Sequence, residues 1–396
     1  MKLLLYSHFF APNIGGVETL VLSLAKGLAQ LSSASGEAQF DVTLVTQTPA
    51  VNFDDGALPF RVVRQSGNRE LWKLIRASDV VHVAGTAIMP IVLGKLARKP
   101  VVVEHHGFQA ICPNGQLLIE PMETPCPGHF MAGHHSVCLR CNSSQGGAAS
   151  MKLWVLTFVR RFLCKHVAAN ITPTKWLGEL IQLPHVVAIP HGIERPLVRV
   201  MPLPADEPPR IAFLGRLVST KGVRVLLHAA GILREEKKSF DLLIVGDGPE
   251  RNALEELARN PQLNGLVRFT GRLSSEEVAT ALSTASMVVI PSLGGEVFGL
   301  AVAENMLRGL PVIASDLGAF LEVLGGAGLT FETGSASSLA AQIARLLDEP
   351  LLRASLAERG RERISEFCNA RRMAEGHAGI YHGIQGRGLA AKATPG

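Results

Sequence analysis

The sequence predicts two consecutive α/β domains, each a doubly wound parallel sheet. Three observations carry this. Short apolar runs alternate with helix-length amphipathic stretches from end to end. Several of those runs, near Leu3, Val80 and Val101, are continuously apolar, as parallel strands covered on both faces should be. The alternation also stops once, at the proline-rich segment Arg195–Arg210, and then restarts.

Taken in order, the first block offers strands at Leu3–Ser7, Val42–Thr46, Arg61–Gln65, Val80–Ala84, Val101–Glu104, Asn170–Pro173 and Val186–Pro190. Helices are expected at Gly16–Leu31, Arg69–Ala77, Met89–Ala97, Met151–Val167 and Lys175–Leu183. The second block offers strands at Ile211–Gly215, Leu242–Gly246, Val267–Thr270, Met287–Pro291, Val312–Ala314 and Gly328–Phe331. Its helices are Lys221–Glu236, Pro249–Arg259, Ser275–Thr284, Gly299–Arg308, Ser337–Leu347 and Leu351–Glu366. The predicted organisation is a first domain over 1–194 with an insert at 108–150, a linker at 195–210 and a second domain over 211–368. A C-terminal helix and tail over 369–396 is expected to cross back to the first domain.

Composition narrows the function. The chain has 396 residues, enough for two domains. At 47% hydrophobic and 18% charged it is too apolar for a disordered chain. Aromatics are 5%, which disfavours a base-stacking nucleic-acid binder, and no nucleic-acid partner is expected. The net charge of +5 suits an anionic ligand or a membrane surface. No run reads as a membrane span: the longest uncharged one, Val278–Gly295, contains Pro291 and several hydroxyl residues. The N-terminal MKLLLYSHFFAPN is broken by His8, Pro12 and Asn13 and reads as a buried strand. With no export signal, the six cysteines are expected in a reducing compartment.

Open parallel sheets bind ligands beyond the carboxyl ends of their strands, and three motifs fall there. After the first strand, Gly15-Gly16 precedes a helix whose N-terminus offers free N–H groups and partial positive charge. An ordinary glycine turn would look the same. Next, Phe213-Leu214-Gly215-Arg216 is followed by Lys221-Gly222, placing a guanidinium and an ammonium at a strand end, where they suit a diphosphate. The third motif runs from Pro291-Ser292 through Gly294-Gly295-Glu296-Val297-Phe298-Gly299-Leu300 to Glu304 and Gly309. On one continuous helix its two glutamates would be roughly 12 Å apart. A retaining glycosidase pair needs about 5–5.5 Å, so this spacing suits hydrogen bonds to sugar hydroxyls on either side of a phosphate.

In this order, the Gly-Gly-Val-Glu loop, the Gly-Arg…Lys-Gly pair and the Glu–seven residues–Glu segment resemble family-4 retaining glycosyltransferases of the GT-B fold. The resemblance covers essentially the whole chain. It implies two Rossmann-like domains facing across a cleft, and transfer of a hexose from a nucleoside-diphosphate sugar with retained configuration. Glu296 would then contact the transferred sugar, Glu304 the ribose, and Arg216 and Lys221 the diphosphate. The loop Gly15-Gly16 would close over the donor. Gly246, Gly248 and Arg272 would frame the base, and Val297, Phe298, Gly299 and Leu300 would line the phosphate side. His106 matches the family's cleft histidine, with His105 as the competing assignment. Three departures stand out: Pro190-His191-Gly192 where the family has Asn, Gly318-Ala319-Phe320-Leu321 read as a loop with Ala and Leu for Gly and Pro, and Gly294-Gly295 directly before Glu296.

Breaking an anomeric C–O bond leaves negative charge on the diphosphate. Fixed cations and helix N-termini can stabilise it. No Asp-x-Asp motif is present, and no metal cofactor for catalysis is expected. The expected acceptor is a glycan or a polyprenyl- or lipid-linked molecule, as in cell-envelope polysaccharide or glycolipid synthesis. The expected location is cytoplasmic, including the inner face of the membrane. A nucleotide-sugar epimerase and a non-catalytic sugar-nucleotide or glycan binder are the alternatives.

Within the insert, Cys112, Cys126, Cys138 and Cys141 end in a Cys-Leu-Arg-Cys knuckle and fit a structural zinc, with disulfides or free thiols as alternatives. The segment has almost no apolar periodicity. Some family members carry a similar insert after the cleft histidine. Cys164 and Cys368 read as buried helix residues. The stretch Lys152–Lys165, apolar with basic edges, reads as a core helix, with membrane-surface contact as the other reading.

Overall fold

The computed structural model describes residues 1–13, 15–32, 36–193 and 208–392, the side chains of 121, 145 and 387–392 excepted. The chain divides into two compact units. One comprises Met1–Gly115, Gly128–Glu194 and Cys368–Gly396. The other comprises Gln116–Pro127 and Arg195–Phe367. Residues 195–207 of the expected linker lie outside the described residues.

The first unit contains strands β1 (Lys2–Ser7), β2 (Asp41–Thr46), β3 (Arg61–Arg64), β4 (Val80–Ala84) and β5 (Val101–Glu104). A two-stranded hairpin, β6 (Leu118–Ile119) and β7 (Thr124–Pro125), belongs to the second unit's residues. Then come β8 (Ala169–Thr172) and β9 (Val186–Ala188). The first sheet is parallel, with order β3-β2-β1-β4-β5-β8-β9. Strands β4 and β5 are buried along their whole length, as their continuous apolar runs require. The C-terminal helix Ala370–Lys392 packs on the helix Gly16–Gln30, where Gly27 leaves room for Ala374. Its Ala374, Ala378 and Tyr381 complete the core with Leu24, Leu28 and Phe40.

The second unit contains β10 (Arg210–Leu214), β11 (Asp241–Val245), β12 (Val267–Gly271), β13 (Met287–Ile290), β14 (Val312–Ser315) and β15 (Leu329–Phe331). All pairings are parallel, with order β12-β11-β10-β13-β14-β15. Its core joins Phe213, Ile244, Val289 and Ile313 to Leu226, Leu233 and Ile343 from the covering helices.

In both sheets the chain starts in the middle and reverses direction of travel once, between β1 and β4 and between β10 and β13. Such a switch point opens a crevice at the carboxyl ends of its two strands, because the connections leave in opposite directions. Among the described residues no helix is long and apolar enough to cross a membrane.

Four places differ from expectation. Lys221 sits in a short 3-10 turn, Ser219–Lys221, and the helix begins at Val223 because Gly222 takes the left-handed region at φ 65°. Residues Gly318–Leu324 form a helix rather than a loop. The insert's Cys-Leu-Arg-Cys stretch also lies on a helix, His135–Cys141, and Cys368 lies in a turn between helices.

Candidate active site at the strand ends

At the β10/β13 switch point the loops after four strands are locked together. Leu293 N–H donates to the Thr220 carbonyl at 2.8 Å, joining the loops after β13 and β10. Gly222 lies so close to the Pro291 carbonyl that no Cβ would fit. Gly246 and Gly248, after β11, lie equally close to the carbonyls of Gly215 and Leu217. Leu217 N–H donates to the Asp247 carbonyl at 3.0 Å, and Gly246 N–H to the Gly271 carbonyl at 3.0 Å. Thus Gly246 and Gly248 are glycines because backbone meets backbone there. Arg216 and Arg272 are both exposed beside these contacts.

Lys221 and Glu296 span the switch point as an ion pair, Nζ to Oε1 at 2.5 Å. Ser292 Oγ donates to the same oxygen at 3.1 Å, and Ser315 Oγ donates to the Ser292 carbonyl at 2.6 Å. Glu296 is therefore held by Lys221 from the loop after β10 and by Ser292 of its own loop, which Ser315 of β14 fixes in turn. The ammonium has three donors, so one bond to Glu296 leaves two for a phosphate.

Glu296 lies before the helix Leu300–Arg308, not on it. Gly299, at φ 99°, caps that helix, and its carbonyl accepts from Ala303 N–H at 3.1 Å. The side chain of Phe298 is spent on the core, 2% exposed and stacked on Phe367. The Phe298 side chain is thus not available to a ligand, and the helix start offers backbone N–H groups instead. Glu304 sits one turn into the helix, 3.9 Å from Arg308, with 39% of its side chain exposed. Burial of the rest pushes its carboxyl above the ordinary range, Arg308 opposing.

Gly294-Gly295 has a structural reason. Gly295 N–H donates to the Gln116 carbonyl at 2.6 Å, and a Cβ on Gly294 would come within 2.9 Å of that oxygen. The backbone entering the β6–β7 hairpin thus lies against the loop that carries Glu296.

In the first unit, Gly15 caps the helix Gly16–Gln30 in extended conformation, and Thr19 Oγ donates to its carbonyl at 3.0 Å. The Glu18 carboxylate folds back against Gly15. Ile14 lies outside the described residues. Strand β5 ends in Glu104, followed by the two histidines. His105 is fully buried, donates from Nε2 to Asn170 Oδ1 at 2.9 Å, and is driven neutral, its pKa lowered to about 4, chiefly by burial. His106 turns the other way, with Nε2 3.5 Å from Glu104 Oε2 and its ring stacked on His191 at 5.4 Å.

Sequence reasoning missed Glu104 itself. It is 2% exposed and surrounded by His82 (3.1 Å), His106 (3.5 Å), His377 (3.6 Å) and His191 (3.8 Å). Burial alone would raise its carboxyl; the imidazoles, His106 and His377 foremost, outweigh that and hold it well below the ordinary range. His191, the residue standing where Asn was expected, is pushed down to about 3 by burial against the pull of Glu104. A charged residue closing an apolar strand, and a histidine inside the Val-Val-His-Val-Ala strand, were the available signals.

The cysteines divide. Cys112 Sγ donates to Asn114 Oδ1 at 2.9 Å, and Asn114 Nδ2 donates to Cys141 Sγ at 3.4 Å. Cys138 and Cys141 are buried on one helix, and Cys126 falls among the second unit's residues. No disulfide joins the six. Among the described residues, the groups of three or more metal-capable side chains both centre on Glu104, not on the cysteines.

Two parallel doubly wound units with these switch points define the GT-B class of fold. Residues 196–363, in the second unit, match the family model described as Glycosyl transferases group 1. A phosphatidyl-myo-inositol mannosyltransferase of Mycolicibacterium smegmatis is 36% identical over 208 residues, 51% of this chain and 53% of that protein. The 2-deoxystreptamine glucosyltransferase of Streptomyces kanamyceticus is 32% identical over 181 residues, 45% of this chain and 46% of that protein. The chain thus spans about half the length of the curated relatives it matches. Sucrose-phosphate synthase from Thermosynechococcus elongatus shares the fold with TM-score 0.72 at 21% identity, over 98% of this chain and 99% of that one. HepE of Anabaena, solved with UDP, gives TM-score 0.70 at 16% identity, over 97% and 100%.

Proposed function

We propose that the protein is a retaining hexosyltransferase that moves a sugar from a nucleoside-diphosphate donor to a glycan or lipid-linked acceptor. The observation that carries this reading is the Lys221–Glu296 pair spanning the β10/β13 switch point, beside a glycine-capped helix that carries Glu304. As the anomeric bond breaks, negative charge grows on the diphosphate. Lys221, Arg216 and the N–H groups at the start of Leu300–Arg308 stabilise it there. Glu296 hydrogen-bonds the sugar and Glu304 the ribose. The name of the solved HepE complex, with UDP, supports a nucleotide as ligand of this fold. His106 is the acceptor-side candidate, since His105 is committed to the core.

Peripheral membrane contact belongs to the same reading. The helix Gly147–Lys165 exposes Met151, Val155, Phe158, Val159 and Phe162, which recur at helical spacing on one face. Lys152 and Lys165 are exposed with them, and Lys95, Arg98 and Lys99 line a pocket with His166 just past the helix end. An apolar face with cationic edges is what an anionic bilayer attracts. The expectation of a core helix gives way here, because these side chains are not buried. Metal content in Cys138→Ser/Cys141→Ser tests the thiol-bound zinc that the sequence leads one to expect.

The deciding experiment is a panel of UDP-, GDP- and ADP-sugars, read by binding and by product analysis with lipid-linked and soluble acceptors. Transfer consumes donor with acceptor and preserves anomeric configuration. An isomeric donor as product would establish an epimerase, and binding without turnover a sugar-nucleotide binder.

A further inference from the structure

We propose that His82, Glu104 and His377 form a buried site for one divalent transition-metal ion of the zinc class, tying the C-terminal helix to strands β4 and β5. The three side chains are 0%, 2% and 0% exposed, and their ligand atoms all lie within 4.8 Å of one another.

The hydrogen bonds of His377 point to an ion. Its Nδ1 is 2.8 Å from the Met373 carbonyl, which can only accept, so Nδ1 carries the proton. Nε2, the nitrogen left for a ligand once deprotonated, is aimed at Glu104 Oε2 over 3.6 Å. That nitrogen is buried and has no hydrogen-bond partner. A nitrogen and an oxygen held at 3.6 Å have the spacing of neighbouring ligands on one ion. With Zn–N and Zn–O bonds near 2.0–2.2 Å, tetrahedral ligand atoms lie roughly 3.3–3.5 Å apart. His82 Nε2 is hydrogen-bonded to the same oxygen at 3.1 Å, through a proton that the ion would replace.

Both histidines are also held from behind. Tyr381 Oη lies 2.8 Å from His82 Nδ1, and the Met373 carbonyl holds His377. Metal-binding histidines ordinarily have such a partner on the other nitrogen, which sets tautomer and ring direction. The second metal-capable group, Glu104 with His106 and His191, lacks this: His106 Nδ1 has no hydrogen-bond partner. The ion is therefore assigned to the first group, and His106 stays outside it.

The test measures metal in the full chain purified without chelator from zinc-supplemented cells. The Cys138→Ser/Cys141→Ser variant, which removes thiolate ligands, should still hold one equivalent. Adding His377→Gln, which keeps size and a hydrogen-bond donor, should remove it. Tyr381→Phe should weaken zinc binding ~10–100-fold without abolishing it. The cobalt form of the cysteine variant should show visible d–d absorption without a thiolate charge-transfer band. If His377→Gln fails to fold, the cobalt spectrum alone decides. A metal-free cysteine variant, metal content untouched by His377→Gln, or a cobalt form without nitrogen- and oxygen-type bands would overturn the assignment.

Discussion

Gly299 offers a perturbation whose size follows from the geometry. It sits at φ 99°, where an L side chain is strained, and a Cβ there would lie 2.6 and 2.7 Å from two ring atoms of Phe320. Real Cβ atoms do not come closer than 3.0 Å, so ring or backbone must move by about 0.4 Å. Phe320 is 0% exposed and cannot swing away. Gly299→Ala should therefore cost ~1–2 kcal/mol for the backbone conformation and ~1–3 kcal/mol for overpacking. The reference is Gly265→Ala, at φ 78° with nothing within 4 Å, which carries the first cost alone. Denaturant unfolding of both variants separates the two contributions, provided the second unit's transition is followed.

The functional consequence is separate. A displacement of a few tenths of an ångström at the start of Leu300–Arg308 moves the N–H groups assigned to the diphosphate. If a 1 Å error costs ~10²-fold, this one should weaken donor turnover by very roughly 5–10-fold. Gly265→Ala should leave donor turnover at the wild-type level. Equal stability loss in the two variants would refute the packing argument. Unchanged donor binding and turnover in Gly299→Ala would refute the assignment of that helix start to the phosphate.

Lys221→Ala and Glu296→Ala should each lower donor turnover by ~10–100-fold, the scale of one charged hydrogen bond, with circular dichroism unchanged; near-normal rates in both would remove the proposed donor site. For Glu304, burial raises the folded-state pKa above the ordinary 4.5. The native state then binds the proton more tightly, so this group's contribution to stability is greatest below the unfolded pKa and falls as pH rises through the folded one. The melting temperature of Glu304→Gln relative to wild type should rise from pH 4 toward pH 8, and parallel curves would contradict it. Cys164 is 0% exposed and its thiol is pushed up to about 12 by burial, against Arg160 and Arg161. Iodoacetamide at pH 8 should leave it unlabelled in the native protein and label it after denaturation, as peptide mass mapping would show; rapid native labelling would mean that helix opens.

The alternation of strands and helices was legible because each strand is a short apolar run and each helix a longer amphipathic one. Strand β4, Val80–Ala84, matches its expected bounds, and β1 and β13 differ by one residue. What escaped reading was short or polar. Gly318–Leu324 and His135–Cys141 have seven residues each, under two turns, too few for a helical period to emerge. The motif residues of the second unit could be named because each occupies one loop beside its own strand. The Glu104 group could not. It assembles residues 82, 104, 191 and 377, from the middle of β4, the end of β5, the segment after β9 and the C-terminal helix, and no local spacing records that.

The pair Gly294-Gly295 shows how a departure from a motif acquires a cause. Two glycines before Glu296 look like slack in a sugar pocket when only the sequence is in view. In the structure, room there is taken up by the Gln116 backbone, whose carbonyl accepts from Gly295 N–H at 2.6 Å. Gly295 also needs φ 78°, a region that favours glycine. The loop is thus pinned from one side by Lys221 and Ser292 through Glu296, and from the other by the segment leading into β6. Residues 116–127 lie between Cys112 and Cys138 in the chain, yet pack as part of the second unit. The insert therefore contributes to the placement of the very carboxylate assigned to the donor sugar. Shortening the β6–β7 hairpin would release Gly295 N–H and loosen Glu296 while leaving every motif residue in place.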